Sequence, residues 1–158
     1  MFFGDPVAAF ANIRRTLRPG GGLALLVWRG LQHNEWVAAL REALSVGRTL
    51  PTPPANAPGP FGLADPSFTR RILGDAGFVD VDIDEVTEPI RFGDDADDAC
   101  SFVAALGLTS GLTQDLDDAQ KVAALDALHA TLVEHESEDG VLFGGSAWLV
   151  LAQSRIVR

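Results

Sequence analysis

The stretch that decides the fold is Leu17-Arg18-Pro19-Gly20-Gly21-Gly22-Leu23-Ala24-Leu25-Leu26-Val27-Trp28. A proline followed by three glycines cannot continue a helix. The residues after the glycines are all apolar, which is typical of a strand buried on both faces of a sheet. We therefore expect a helix to end near Leu17 and a buried strand to occupy residues 22–28.

The segments around this stretch repeat the alternation of helix and strand. Asp5-Pro6 and Asp65-Pro66 each place an N-cap residue before a proline, which is the pattern of a helix start. Further on, apolar residues alternate with aspartates from Val79 to Asp84, as in a strand with one solvated face. The late segment 146–152 is apolar on both sides. The sequence therefore predicts an α/β fold with three strands, near residues 22–28, 79–88 and 145–153.

The three predicted strands differ in polarity, and therefore in their expected exposure to solvent. The strand at 145–153 is apolar on both faces, so we expect it at the centre of the sheet and antiparallel to its neighbours. The acidic strand at 79–88 is expected at an edge. The strand at 22–28 would then keep an apolar edge without a neighbour. We expect the isolated chain to associate through that edge or to be marginally stable.

Length and composition indicate one domain spanning residues 1–158. The chain has 22 acidic and 12 basic residues and a net charge of -10, which disfavours nucleic acids and anionic membranes as partners. The lone Cys100 cannot form an internal disulfide bond. No apolar run has the length of a membrane span, and the first residues lack the pattern of a signal peptide. We expect a soluble, cytoplasmic protein.

Three motifs occur in a particular order along the chain. Leu17-Arg-Pro-Gly-Gly-Gly22 precedes the buried strand, Ala76-Gly-Phe78 precedes the acidic strand, and Gly144-Gly-Ser-Ala-Trp-Leu-Val150 begins the last strand. Together with Asp5-Pro6 at a helix start, they resemble the C-terminal half of a class I S-adenosylmethionine-dependent methyltransferase. The resemblance implies a partial Rossmann-like fold whose strands correspond to five, seven and six of that family. The last strand would be central and antiparallel, and helices would form a cap.

The same resemblance implies a cofactor site, and these residues lack the main elements of that site. The family binds S-adenosylmethionine with a glycine-rich turn after its first strand and with an acid that accepts hydrogen bonds from the ribose. Here Gly20-Gly21-Gly22 follows a helix and precedes a strand, which is the reverse order. We therefore expect a truncated methyltransferase that neither binds the cofactor nor is active alone. Two alternatives stay open: one half of a split methyltransferase, and a non-catalytic binding or assembly module.

The resemblance also implies where ligands and partners would bind. What remains of the cofactor site would be Phe2, Phe3 and Asp5, which come where strand four of the family ends. The substrate would be a small, largely apolar molecule, and residues 31–62 and 94–140 would form caps or inserts around it. The expected partners are this molecule and either a second copy of the chain or a protein that supplies the N-terminal half. Neither a nucleic acid nor a membrane is expected.

His33 is the candidate catalytic residue. It follows the carboxyl end of the 22–28 strand, which is where ligands bind in doubly wound sheets. A neutral imidazole there could act as a general base toward a hydroxyl or an amine. The alternative is a loop histidine beside Asn34, the cap of the next helix. Three aromatic residues could line the substrate pocket or could instead belong to the apolar core: Trp28, Trp36 and Phe61.

Four other features are better explained without a ligand. Asp80, Asp82 and Asp84 have the spacing of a calcium loop, but the required glycine and glutamate are absent. The acidic run 94–98 suits the first turn of a helix, and Cys100 suits a buried structural thiol. His129 and His135 lack the i, i+4 spacing of a zinc helix, and we expect both to be exposed. The sequence therefore predicts no metal site.

Overall fold

The structure is a computed structural model that describes residues 1–155, apart from the side chain of Leu108. Over these residues the chain is α/β, as expected. The elements in chain order are α1 (Pro6–Thr16), β1 (Gly22–Trp28), a 3-10 turn (Leu31–His33), α2 (Glu35–Ser45), α3 (Pro66–Asp75), β2 (Phe78–Gly93), α4 (Ala96–Ala105), α5 (Leu108–Thr113), α6 (Asp118–Glu134), β3 (Glu136–Ser137) and β4 (Gly140–Ser154).

The described strands form one sheet in the order β1-β4-β2, with the short β3 paired to β4. β4 therefore lies between β1 and β2, and it runs antiparallel to β1 with Leu25 opposite Val150. The predicted number of three strands is wrong, because β3 and the start of β4 form an additional hairpin in which Glu136 lies opposite Val141. No apolar pattern marks this two-residue strand, since both of its residues are polar and exposed.

Two of the strands are longer than predicted. β4 begins at Gly140 instead of near residue 145, because Gly145 lies inside the strand. A Cβ at Gly145 would collide with the Ile90 side chain, so the glycine allows close packing and does not make a turn. β2 continues to Gly93 through Pro89, a residue that an edge strand tolerates.

The chain forms two compact units. The first comprises Met1–His33, Pro53–Thr87 and the chain from Ser146 onward. In it, α1 and α3 contact each other and cover one face of the sheet. The core between them and the sheet includes Phe10, Leu73 and Val150, each at most 2% exposed.

The other face of this sheet is not covered by the described residues of the first unit. Leu26 is 64% exposed and Leu151 is 42% exposed. The expectation that the strands at 22–28 and 146–152 are buried on both faces is therefore wrong. Their apolar sequences are alike on the two faces, but α1 and α3 cover only one of them.

The helices of the first unit begin where the sequence predicts. Asp5 accepts a hydrogen bond from the Ala8 amide at 2.9 Å, and Asp65 accepts one from the Ser67 amide at 2.8 Å. Each cap satisfies a backbone donor that has no partner within the helix. The two helices are then tied together, because Arg14 Nε donates to the carbonyl of Ala76 at the end of α3, at 2.9 Å.

The predicted alternation of β2 is interrupted near its start. Phe78 and Val81 both pack against the core of the first unit, although a regular strand would direct them to opposite faces. Asp80 between them has a φ of 52°, in the left-handed region. This left-handed residue interrupts the regular alternation of side chains, so Phe78 and Val81 can face the same core.

The second unit comprises Asn34–Thr52 and Glu88–Gly145. Its core is formed largely by α2, α4 and α6, with Leu44, Val103 and Leu132 fully buried. The spacing of apolar residues in the sequence predicts a helix from Asp115 to about His135, with Leu125 and Val133 near one broad apolar face. The helix instead starts after the Asp117 capping box.

The buried stripe of α6 also differs from the prediction. It runs through Ala124, Leu128 and Leu132, whereas Leu125 and Val133 are about half exposed. The buried residues of α6 recur every four positions, so its buried face is narrower than the broad apolar face predicted from the sequence. Among the described residues, no helix has both the length and the apolar character needed to cross a bilayer.

Candidate functional site

A cavity of the first unit lies beyond the carboxyl end of β1. Its volume is about 530 Å³, within the usual range for small-molecule sites. It is lined by the residues that follow β1, the proline-rich loop at 53–60, the start of α3, and Trp148 of β4. The cavity is lined mainly by proline, alanine and aromatic side chains, with Arg29 and His33 as its basic groups.

The proline-rich loop is held in place by backbone contacts within the first unit. The Ala57 amide donates to the Pro54 carbonyl at 3.2 Å, and the Gly59 amide donates to the Met1 carbonyl at 3.2 Å. A Cβ at Gly62 would lie only 2.7 Å from that Met1 carbonyl oxygen, so this position requires glycine. Proline also restricts the backbone directly. The loop therefore forms a preorganised wall.

The Arg29 side chain has several contacts within the first unit. It forms an ion pair with Glu85 and donates to Ser146 Oγ at 3.0 Å. Its guanidinium carbon lies 4.5 Å from the centre of the Trp148 ring, in a cation–π contact. The side chain is only 12% exposed. These contacts fix the cation, and Glu85 balances much of its charge.

His33 lies at the cavity, as its position after β1 suggested. It is exposed, ends the 3-10 turn, and donates its backbone N–H to the Gly30 carbonyl at 2.9 Å. Its Nε2 lies 3.4 Å from Nη2 of Arg29. A guanidinium can only donate, so Nε2 of a neutral imidazole would be the acceptor in this contact. At 3.4 Å this contact is long for a hydrogen bond.

The three aromatic candidates have different positions. Phe61 lines the cavity and is half-buried. Trp28 does not line it, although it belongs to the same unit. Trp36 belongs to the core of the second unit, where it is 8% exposed and its ring centre lies 5.9 Å from that of Phe92. Of these three aromatic candidates, only Phe61 lines the cavity that His33 also lines.

The candidate cofactor residues do not converge. Phe3 lines a second cavity of about 350 Å³ in the first unit, while Phe2 is 69% exposed and lines neither cavity. The carboxylate of Asp5 is engaged as the cap of α1. The adenosyl group of S-adenosylmethionine needs a glycine turn and a ribose-binding acid, and these three residues supply neither. The residues present do not fit the cofactor.

Two functional candidates were missed by sequence reasoning. Trp148 lines the cavity, and its indole N–H donates to the Ala64 carbonyl at 2.8 Å. Because Trp148 lies in the apolar segment 146–152, the sequence predicted only that its side chain is buried. Arg29 could have been found, since it is the first residue after the carboxyl end of the β1 strand.

The acidic run 94–98 and the two histidines of the second unit, His129 and His135, do not line this cavity. Among the described residues, no group of three or more metal-ligating side chains converges. Asp95 caps α4 by accepting from the Asp98 amide at 2.9 Å. Burial and the nearby Asp97 raise the pKa of the Cys100 thiol, which makes it a poor nucleophile.

One expectation about the histidines is wrong. His129 lies on the surface, 3.2 Å from Asp97. His135, in contrast, is partly buried, because its ring stacks on Phe143 with centres 4.1 Å apart. Its Nδ1 lies 2.8 Å from the Thr131 carbonyl, and its Nε2 lies 3.5 Å from Glu35. These contacts give it a structural position within the second unit.

In comparisons with known proteins, no protein-family model and no curated protein matches this chain. The resemblance to class I methyltransferases therefore rests on the order of its sequence motifs.

Proposed function

We propose that this chain is methyltransferase-like and that its 530 Å³ cavity binds the methyl acceptor, a small and largely apolar molecule. The observation that carries the proposal is the position of the cavity. It lies beyond the carboxyl end of β1, and His33 is at its edge. The order of the motifs supports the family. The proposal includes a cytoplasmic location.

The residues of the cavity suit such an acceptor. Phe61, Trp148 and the proline-rich loop offer apolar surface to a flat molecule. A hydroxyl or amine on that molecule could donate to Nε2 of His33 in place of the long contact from Arg29. His33 would then orient the acceptor group and take its proton, while Arg29 remains fixed by Glu85 and Ser146.

A titration followed by NMR tests the acceptor site. We expect 2-naphthol, a flat apolar molecule with one hydroxyl, to shift the amide resonances of Gly30, His33 and Ala57. Ala55→Phe should weaken this binding at least about tenfold, because Ala55 lines the cavity and is exposed on the loop. Thr52→Phe is the matched control, since Thr52 is also exposed, three residues earlier in the chain, and does not line the cavity. Equal binding by both variants, or shifts elsewhere in the chain, would overturn the proposed site.

The chain alone should not bind the cofactor. A missing glycine turn and ribose acid remove at least two charge-assisted hydrogen bonds, each contributing about 1.5 to 3 kcal/mol. Their loss would weaken binding by roughly two to four orders of magnitude. We expect calorimetric titration of the 158-residue chain with S-adenosylhomocysteine to show no binding tighter than about millimolar, and no methyl transfer. A micromolar one-to-one isotherm would contradict this.

A non-catalytic binding module is the second candidate, because Nη2 of Arg29 lies 3.4 Å from Nε2 of His33 and would compete with a substrate group for that atom. The two functions differ in what His33 does. If the cavity only binds, 2-naphthol and naphthalene should bind equally well, and His33→Ala should leave both affinities unchanged. If His33 receives the acceptor proton, naphthol should bind more tightly, and His33→Ala should remove that preference.

A further inference from the structure

The charge at the cavity of the first unit depends on two side chains from different parts of the sheet. Arg29 follows β1 and lines the cavity, whereas Glu85 lies on β2 and does not line it. The two side chains form an ion pair. Glu85 therefore balances the cation of the cavity without being part of the cavity wall.

Two hydroxyl groups hold Glu85 and Arg29 in this arrangement. Thr87 Oγ1 donates to the Glu85 carboxylate at 3.1 Å and lies 3.2 Å from Ser146 Oγ. Ser146 Oγ accepts from Nη1 of Arg29 at 3.0 Å. The four side chains thus form a closed ring of polar contacts, carried by the neighbouring strands β2 and β4 and by the end of β1. The ring keeps the carboxylate at the guanidinium, although the Glu85 side chain is 52% exposed.

The other ionised groups at the cavity give an anionic ligand no further partner. Among the described residues that line the cavity, Arg29 is the only lysine or arginine, and Asp65 is the only acid. The Asp65 carboxylate is held as the cap of α3, where it accepts from the Ser67 amide at 2.8 Å. A ligand carboxylate would therefore meet one cation that is already paired and one additional negative charge.

We propose that Glu85 is a positioning residue of this site: by holding and balancing Arg29, it makes the cavity select a neutral acceptor over an anionic one. This inference rests on the proposed function, because it concerns the same cavity. A ligand carboxylate can bind Arg29 only in competition with Glu85, which belongs to the same chain and is also held by Thr87. A neutral ligand leaves the ring intact.

Two ligands of nearly equal shape test this preference. At about pH 8, 2-naphthamide is neutral and 2-naphthoate is anionic. Their binding to the full chain is followed by NMR through the amide resonances of Gly30, His33 and Ala57, which line the cavity. We expect the unmodified chain to bind 2-naphthamide at least about fivefold more tightly than 2-naphthoate.

Glu85→Gln removes the negative charge, while its amide oxygen can still accept from Arg29 and Thr87. This variant should bind 2-naphthoate at least about fivefold more tightly than the unmodified chain does, because Arg29 is no longer balanced. Its affinity for 2-naphthamide should stay within about twofold. If Glu85 only supported the shape of the cavity, the substitution would weaken both ligands by the same factor.

Asp84→Asn is the matched control. It removes the same charge from the adjacent residue of β2, which is also exposed and does not line the cavity. Both affinities should stay within about twofold of those of the unmodified chain, because a solvated charge away from the cavity is screened. The control therefore separates the effect of the ring from that of the net charge.

Three results would overturn the role of Glu85 while leaving the acceptor site in place. They are equal affinities of the unmodified chain for the two ligands, an unchanged preference in Glu85→Gln, and an equally large change in Asp84→Asn. A different result overturns the proposed function as well: neither these ligands nor 2-naphthol shifts the resonances of the cavity.

Discussion

The two faces of the sheet in the first unit are built from the same strands but have opposite environments. On the face covered by α1 and α3, Val27 is 4% exposed and Val150 is fully buried. On the other face, Leu26 is 64% exposed and Leu151 is 42% exposed. Val27 and Leu26 are adjacent in sequence. Their difference is that α1 and α3 cover one face and no described residue of this unit covers the other.

This difference shows that an apolar strand sequence and a buried strand are separate properties. Leucine and valine follow one another in β1 without any change of polarity between its two faces. Apolar residues reduce the free energy of the folded state only where they are removed from water. The covered face should therefore dominate the stability of this unit. The open face should matter mainly for association.

The largest expected effect is a truncation in the covered face. Leu73 of α3 is fully buried between the helices and the sheet. Leu73→Ala should lower the free energy of unfolding by about 2 to 5 kcal/mol, because it removes buried carbons and leaves a cavity. Urea denaturation followed by circular dichroism measures this. A loss below about 1 kcal/mol would mean that the face collapses around the cavity or is loosely packed.

The next effect concerns the start of α3, the helix that carries Leu73. Asp65 accepts hydrogen bonds from the amides of Ser67 and Phe68, at 2.8 and 3.3 Å. Asp65→Ala should cost about 1 kcal/mol, because these donors lose their partner. Asp65→Asn is the control, since its amide oxygen can still accept, and it should cost clearly less. Equal losses in the two variants would show that the charge, and not the cap, matters here.

The elements of the covered face were predictable because local chemistry determines them. Asp5-Pro6 and Asp65-Pro66 begin helices at the residues expected, and β1 occupies residues 22–28. The exposed face was not predictable, since nothing in an apolar strand says which elements will cover it. β4 was predicted too short because Gly145 resembles a turn residue, whereas its missing Cβ makes room for Ile90.

The candidate site was predictable only where position along a strand decides it. His33 lies at a cavity because it follows the carboxyl end of β1. The cavity itself depends on the path of the proline-rich loop and on its contact with the Met1 carbonyl, which no sequence pattern specifies. Trp28 and Trp36 have large aromatic side chains, as Phe61 does, but neither of them lines this cavity.

The smallest effect on the free energy of unfolding is expected for a substitution on the open face. Comparing it with a substitution of the adjacent residue on the covered face tests the difference between the two faces directly. Val27→Ala removes two buried carbons and should cost about 1.5 to 3 kcal/mol. Leu26→Ala removes three carbons from the next residue, yet it should cost no more than about 0.5 kcal/mol, because this side chain is 64% exposed. Both variants must be compared by urea denaturation at the same low micromolar concentration. If Leu26→Ala costs as much as Val27→Ala under those conditions, the face that carries Leu26 is covered and the contrast between the two faces is wrong.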